Sequence, residues 1–240
     1  MKKITGILMG LMLSASLFAQ KTINDPDAEV RKVSGFHAIR ISNSFDVYIS
    51  QGNDEALAVS ASKTEYKDKI ETKVENGTLI VRFEDEKKFW KNWNGDKMKL
   101  KVYISVKTLD KLNVSGACDV YMEDGISADD LSITLSGASD LKGKVNAKKL
   151  TIDISGASDI TLNGNAANVD IEASGASDFK GFEFITNFCD AKASGASSVS
   201  ITVNKELNAN ASGASTVKFK GEGLIRDIKT SGASNVSRKS

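Results

Sequence analysis

Residues 131–160, LSITLSGASDLKGKVNAKKLTIDISGASDI, state one pattern twice. Leu131, Ile133 and Leu135 alternate with polar residues, Ser136-Gly137-Ala138 follows, and Leu141 resumes the apolar positions. Nineteen residues on, Leu150, Ile152 and Ile154 lead into Ser155-Gly156-Ala157, and Ile160 follows. Period-two alternation marks a strand with one buried face, and Gly among small residues marks a turn.

Read outward from there, Ser-Gly-Ala recurs at Ser115, Ser136, Ser155, Ser174, Ser194, Ser212 and Ser231, at intervals of 21, 19, 19, 20, 18 and 19 residues. The fifth residue after each Ser is always apolar: Val120, Leu141, Ile160, Phe179, Val199, Val217 and Val236. Each unit reads as strand, corner, strand and a second turn such as Asn163-Gly164 or Lys220-Gly221. Such a unit cannot bury its apolar face alone, but stacking units about 4.8 Å apart gives all of them one interior. The expected fold class is therefore all-β: a right-handed, single-stranded β-helix (solenoid) of about 19 residues per coil. Its hand follows the general preference of parallel crossovers. Gly lets the corner bend sharply. Small inward residues (Ala173, Ala191, Ala193, Ala209 and Ala211) suit a narrow coil.

Residues 39–49, IRISNSFDVYI, fit the unit in register, with Ser42 at the corner, Asp46 in the fourth place and Val47 and Ile49 in the fifth and seventh. Before Ser115 the pattern predicts strands near 55–61, 69–75, 78–83 and 98–106, with a hairpin at Asn76-Gly77. A charged, aromatic loop is expected between Glu84 and Lys99. This part is expected to cap one end of the solenoid.

At the N-terminus Lys2 and Lys3 precede an uncharged apolar run, Ile4 to Phe18, and then Ala19, the order of a secretory signal. The predicted organisation is a signal peptide over 1–20, an N-terminal β region over 28–110 holding the degenerate first coil, hairpins and cap, and a solenoid over 111–240. Without residues 1–20 the chain has 30 basic and 31 acidic residues. That balance argues against nucleic acid as a partner. No later stretch is long and apolar enough for a transmembrane helix.

The serial SGASD corners, the opening from Phe36 to Gly52 and the ENGTLIV hairpin from Glu75 to Val81 resemble the family described as putative autotransporter adhesin, "head GIN" domain. The resemblance spans roughly residues 30 to 236. It implies an exported, two-part β-structure with a right-handed β-helix, of a kind common in Bacteroidetes-type bacteria. It also implies cell-surface or periplasmic residence and an adhesive role.

The fourth place of the unit holds Asp46, Asp119, Asp140, Asp159 and Asp178, then Ser198, Thr216 and Asn235. Stacked coils turn the last four carboxylates into a column whose neighbours repel by about 0.9 kcal/mol in water. A bound Ca²⁺ would offset that repulsion. Alternatively each Asp accepts backbone N–H bonds at its own corner, as in an Asx turn. Cys118 takes the Ser place of its corner and Cys189 an inward place about four coils away, too far for a disulfide, so two free thiols are expected. His37 is the single histidine, which excludes a multi-His zinc site or a His-based triad. Phe89, Trp90 and Trp93 either contact a sugar or protein partner or fold down over the apolar end of the coil.

The expected function is a non-enzymatic, exported, adhesin-like module binding a glycan or protein at the cell surface or in the periplasm. A self-associating scaffold is the alternative, and a polysaccharide-acting enzyme a weaker one.

Overall fold

The computed structural model describes residues 25–84 and 98–239. The signal segment 1–20 and the aromatic candidates Phe89, Trp90 and Trp93 lie outside the described residues.

The repeat sets the architecture. β9 (Asp119–Leu135), β10 (Asp140–Ile154), β11 (Asp159–Ala173), β12 (Asp178–Ala193) and β13 (Ser198–Ala211) each wrap around one coil and pair in parallel with the next. Equivalent places stack as the spacing predicts. Leu131, Leu150, Val169, Cys189 and Leu207 form one buried column, and Ile133, Ile152, Ile171, Ala191 and Ala209 another. The second turn interrupts the strand at Lys220-Gly221, where β14 ends, but not at Asn163-Gly164. Asn163 and Gly164 stay paired with Lys144 and Val145, so the backbone ladder runs through that bend.

The corner is where the chain breaks pairing, and two constraints fix its glycine. Gly156 has φ +79°, and a Cβ there would stand 2.4 Å from the carbonyl oxygen of Gly137 below it. That oxygen accepts the Ala157 amide at 2.8 Å, and the same bond repeats at every corner from Ala117 N–H···O Asn43 upward. The Ser after Ala is buried: Ser139, Ser158, Ser177, Ser197 and Ser215 are at most 2% exposed. Ser197 Oγ donates to Ser194 O of its own corner at 2.8 Å and to Ala173 O of the coil below at 3.0 Å. These hydroxyls, rather than the Asp one place later, supply the side-chain bonds of the corner.

The N-terminal half repeats the plan twice more. β2 (Ala38–Ile41) and β3 (Asp46–Gln51) make a coil whose Asn43 takes the Gly place at φ 85°. Its Oδ1 accepts the Phe83 amide at 2.9 Å. β4 (Ala56–Ala61), α1 (Thr64–Lys67) and β5 (Ile70–Glu75) follow, and the Asn76-Gly77 turn returns the chain antiparallel as β6 (Thr78–Phe83). β6 and β7 (Leu100–Val106) then form a further coil, Val102 on Val47 and Ile104 on Ile49.

The coils are not stacked in chain order. β2 lies between β6 and β8 (Lys111–Val114), and β3 between β7 and β9. The chain steps outward one coil and then crosses back over the one it made first. Gln51 seals the crossing. Its Nε2 donates to Lys107 O and Ser127 O, both at 3.0 Å, and its Oε1 accepts the Ser127 amide at 2.7 Å. A side-chain amide thus does the work of the missing backbone rung. β4 pairs antiparallel with β7, β1 (Glu29–Arg31) pairs antiparallel with β4, and β5 pairs antiparallel with β6. The expected N-terminal cap is therefore built from antiparallel strands laid on a parallel stack.

At the other end β14 (Thr216–Lys220), β15 (Leu224–Thr230) and β16 (Asn235–Arg238) finish the stack. Arg238, which pairs with Phe219, lays its guanidinium 5.0 Å from that ring and donates to Gly221 O and Gly223 O.

Candidate functional site

Because register is unbroken over the first residues after each corner, outward side chains there also form straight columns. Counted from the corner, the fourth place reads Lys101, Asp46, Asp119, Asp140, Asp159, Asp178 from coil to coil, as pairing within the strands confirms. The sixth place alongside it reads Tyr103, Tyr48, Tyr121, Lys142, Thr161, Lys180. The two columns share one outer face of the solenoid.

The three tyrosines stack. Tyr48 lies 5.1 Å from Tyr103 and 5.2 Å from Tyr121, centroid to centroid, with nearly parallel rings. A parallel ladder makes this the cheapest way to place aromatics, since each ring covers part of its neighbour. Tyr103 Oη donates to Asp25 Oδ2 at 2.8 Å, and Lys101 Nζ pairs with the same oxygen at 3.3 Å. Burial works to raise the Asp25 pKa, but bonds from Tyr103, the Asp27 amide, Ser60 and Lys101 outweigh it and hold the carboxyl below its usual value. Burial, and then the Asp25 charge, push the Tyr103 phenol up.

Upward from Tyr121 the face turns charged. Lys180 Nζ reaches Asp159 at 2.5 Å and Asp178 at 3.9 Å, and its own pKa is raised, first by the bond to Asp159. The expected carboxylate column is thus present, joined to a lysine at its upper end and flanked by tyrosines at its lower end. Asp119 and Asp140 are exposed between them. Among the described residues no three His, Cys, Asp or Glu side chains converge as metal ligands. One residue per coil spreads the carboxylates along the axis.

Both cysteines are free and buried. Cys118 stands in for the corner hydroxyl, its Sγ 3.7 Å from Ser115 O and 3.6 Å from Asn43 O. Burial pushes the Cys118 thiol up to about 11 and raises Cys189 further. A nucleophilic cysteine needs the opposite shift. His37 Nδ1 lies 2.7 Å from Asp110 Oδ2 at a half-exposed pair beside the Asn76-Gly77 turn, and the His37 amide donates to Gly77 O at 3.0 Å, tying the hairpin to the coil.

Sequence reasoning placed the Asp column but missed the tyrosines beside it. The signal was available, because Tyr48 and Tyr121 occupy the same place of two units.

The family model "Putative auto-transporter adhesin, head GIN domain" matches residues 35–223. A search of the curated proteins finds no match. Among solved structures the fold is similar to a "putative adhesin" of Bacteroides fragilis, with TM-score 0.79, 20% identity, and 88% of this chain and 96% of that one covered. A "putative adhesin" of Parabacteroides distasonis gives TM-score 0.67 and 18% identity, covering 88% and 96%. A "putative lipid binding protein" of the same species gives TM-score 0.66 and 19% identity, covering 90% and 98%.

Proposed function

The chain belongs to the head GIN domain family of adhesin type, and from that premise we propose that the outer face bearing the Tyr103–Tyr48–Tyr121 stack and the Asp column contacts a glycan or a surface protein. The protein is an exported, non-enzymatic, adhesin-like interaction module. The carrying observation is the strict register. It fixes aromatic rings and carboxylates on a rigid sheet, so little side-chain entropy is lost on binding. Aromatic edges with hydroxyls beside carboxylates suit sugar hydroxyls or a polar protein surface.

Phe89, Trp90 and Trp93 enter this reading from the sequence, as further contact residues on the segment between β6 and β7. The test is binding of the exported protein to arrays of glycans and matrix proteins. Tyr121→Ser with Asp140→Asn should reduce the retained signal by about tenfold or more while melting stays near wild type. Unchanged binding would remove the face from the proposal. Trp90→Ala with Trp93→Ala should lower binding without unfolding. Loss of the folded state instead would make those rings a cover for the coil's end.

A further inference from the structure

Six large apolar side chains are exposed among the described residues, and five of them stand in the coils after Asp178. Ile225 and Ile228 continue the interior columns of Leu207 and Ala209 on β15, which is paired on one side only. For Ile185 and Phe188 the cause lies in coil length. The interval from Ser174 to Ser194 is 20 residues and the next is 18. β12 therefore has residues that β13 cannot match, and their register jumps between Gly181 and Ile185 and again between Thr186 and Phe188. The surplus bulges outward at the second bend. Phe182 is half-buried there, Ile185 is 47% exposed and Phe188 39% exposed. Leu224, 74% exposed, lies two coils on in the Phe188 column, with Glu206 between them.

Amines gather on this patch. Lys220 Nζ and Lys239 Nζ lie 5.1 Å and 5.2 Å from the Phe182 ring, and Lys205 Nζ lies 5.6 Å from Phe188. A second, independent observation concerns the charge along the solenoid. From Asp119 to Asp178 there are eleven acidic and four basic residues, whereas from Ser198 to Lys239 there are three acidic and seven basic. The chain's near-zero total conceals an acidic shaft and a basic foot, and the apolar patch runs from the balanced stretch between them (Phe182, Ile185 and Phe188) onto the foot at Leu224.

We propose that this foot docks on a lipid surface carrying anionic headgroups. Exposed aromatic and aliphatic side chains rimmed by long amines match the boundary between headgroups and acyl chains, where the apolar part sinks in and the amine reaches phosphate. The surrounding positive charge adds attraction to an anionic leaflet. The acidic coils are repelled by the same surface, so the solenoid stands away from it with the tyrosine-bearing N-terminal coils outermost. The proposal is independent of what the tyrosine face binds.

The test is co-sedimentation of the exported protein with vesicles of phosphatidylcholine containing about a quarter phosphatidylglycerol, against vesicles of phosphatidylcholine alone. Every variant carries the same N-terminus. Binding is expected to the anionic vesicles and to fall at high salt. Lys205→Gln, Lys220→Gln and Lys239→Gln together should weaken it by about tenfold or more. Ile185→Ser, Phe188→Ser and Leu224→Ser together should do the same with melting preserved. Equal sedimentation of wild type and the lysine variant overturns the proposal, even if the serine variant fails to fold. So does equal binding to neutral vesicles. Pelleting of wild type without vesicles also overturns it, because the basic foot then meets the acidic shaft of a second copy.

Discussion

The coils from Ser115 onward and the two coils before them solve one packing problem by different means. Each later coil follows its predecessor in the chain, and one tripeptide makes every corner. In the N-terminal coils the corner glycine is replaced by Asn43 and the buried corner serine by Phe45. Yet Val47 still lies on Val102 and under Val120. The difference teaches that the interior columns carry the register, while the corner is a local device with more than one chemical solution. Where the corner serves a repeat it must be small, because its neighbour is an identical corner. Where it serves once it can be bulky.

The sharpest way to break this comparison is to enlarge a repeated corner. Gly156→Val places a Cβ against the Gly137 carbonyl at a left-handed φ. It should cost about 3 kcal/mol or more by urea unfolding, and Asn43→Gly about 1 kcal/mol or less. Equal losses would show that both corners obey one constraint. Next in size is the buried hydroxyl. Ser177→Ala removes the buried hydroxyl that donates to Ser174 O at 2.8 Å, while Ile154 O keeps the Ser174 amide, and should cost about 1–2 kcal/mol. In contrast, Cys118→Ser supplies a better donor in the same place and should change stability by less than about 1 kcal/mol, in the stabilising direction.

A smaller effect probes the N-terminal cap. Tyr103→Phe removes one bond to Asp25 and should cost about 1 kcal/mol at neutral pH. Asp25 has a lowered folded pKa, so its stabilisation is complete above the unfolded value of 3.8 and is lost as pH falls through the lower folded value. The stabilities of wild type and Tyr103→Phe should therefore converge on acidification, and a constant gap would show that the carboxylate is not involved. Smallest is Asp140→Asn, which relieves repulsion between adjacent coils and should stabilise by a few tenths of a kcal/mol. If calorimetry with millimolar Ca²⁺ gives heat and a raised melting temperature that this variant lacks, the column holds a cation.

What the sequence made legible was whatever depends on period. The columns through Leu131 and Ile133, the coil at Ser42 and the strands flanking Asn76-Gly77 follow from alternation and spacing alone. Coil order did not, because alternation tells which face of a strand is buried but not which edge meets which neighbour. Nothing in Thr78–Phe83 says that it lies outside β2 rather than between β2 and β8. The corner chemistry was half legible. Serine was recognised as a turn residue, but only coordinates show that its hydroxyl is buried and bonded to the coil below, leaving Asp free to face solvent. The outward features were readable and overlooked: Tyr48 and Tyr121 share a place, and the step from 20 to 18 residues between corners foretold the bulge at Phe182 to Ile185.

The hydrogen bond from each Ala amide to the Gly carbonyl one coil below has a consequence for how such a gene can change. A corner sees only copies of itself above and below, so cutting out or duplicating one whole period rejoins matching surfaces. The molecule can be shortened or extended in steps of one coil, about 4.8 Å each, without redesigning either end. Reach becomes a heritable length, set by the number of repeats and adjustable by recombination between them.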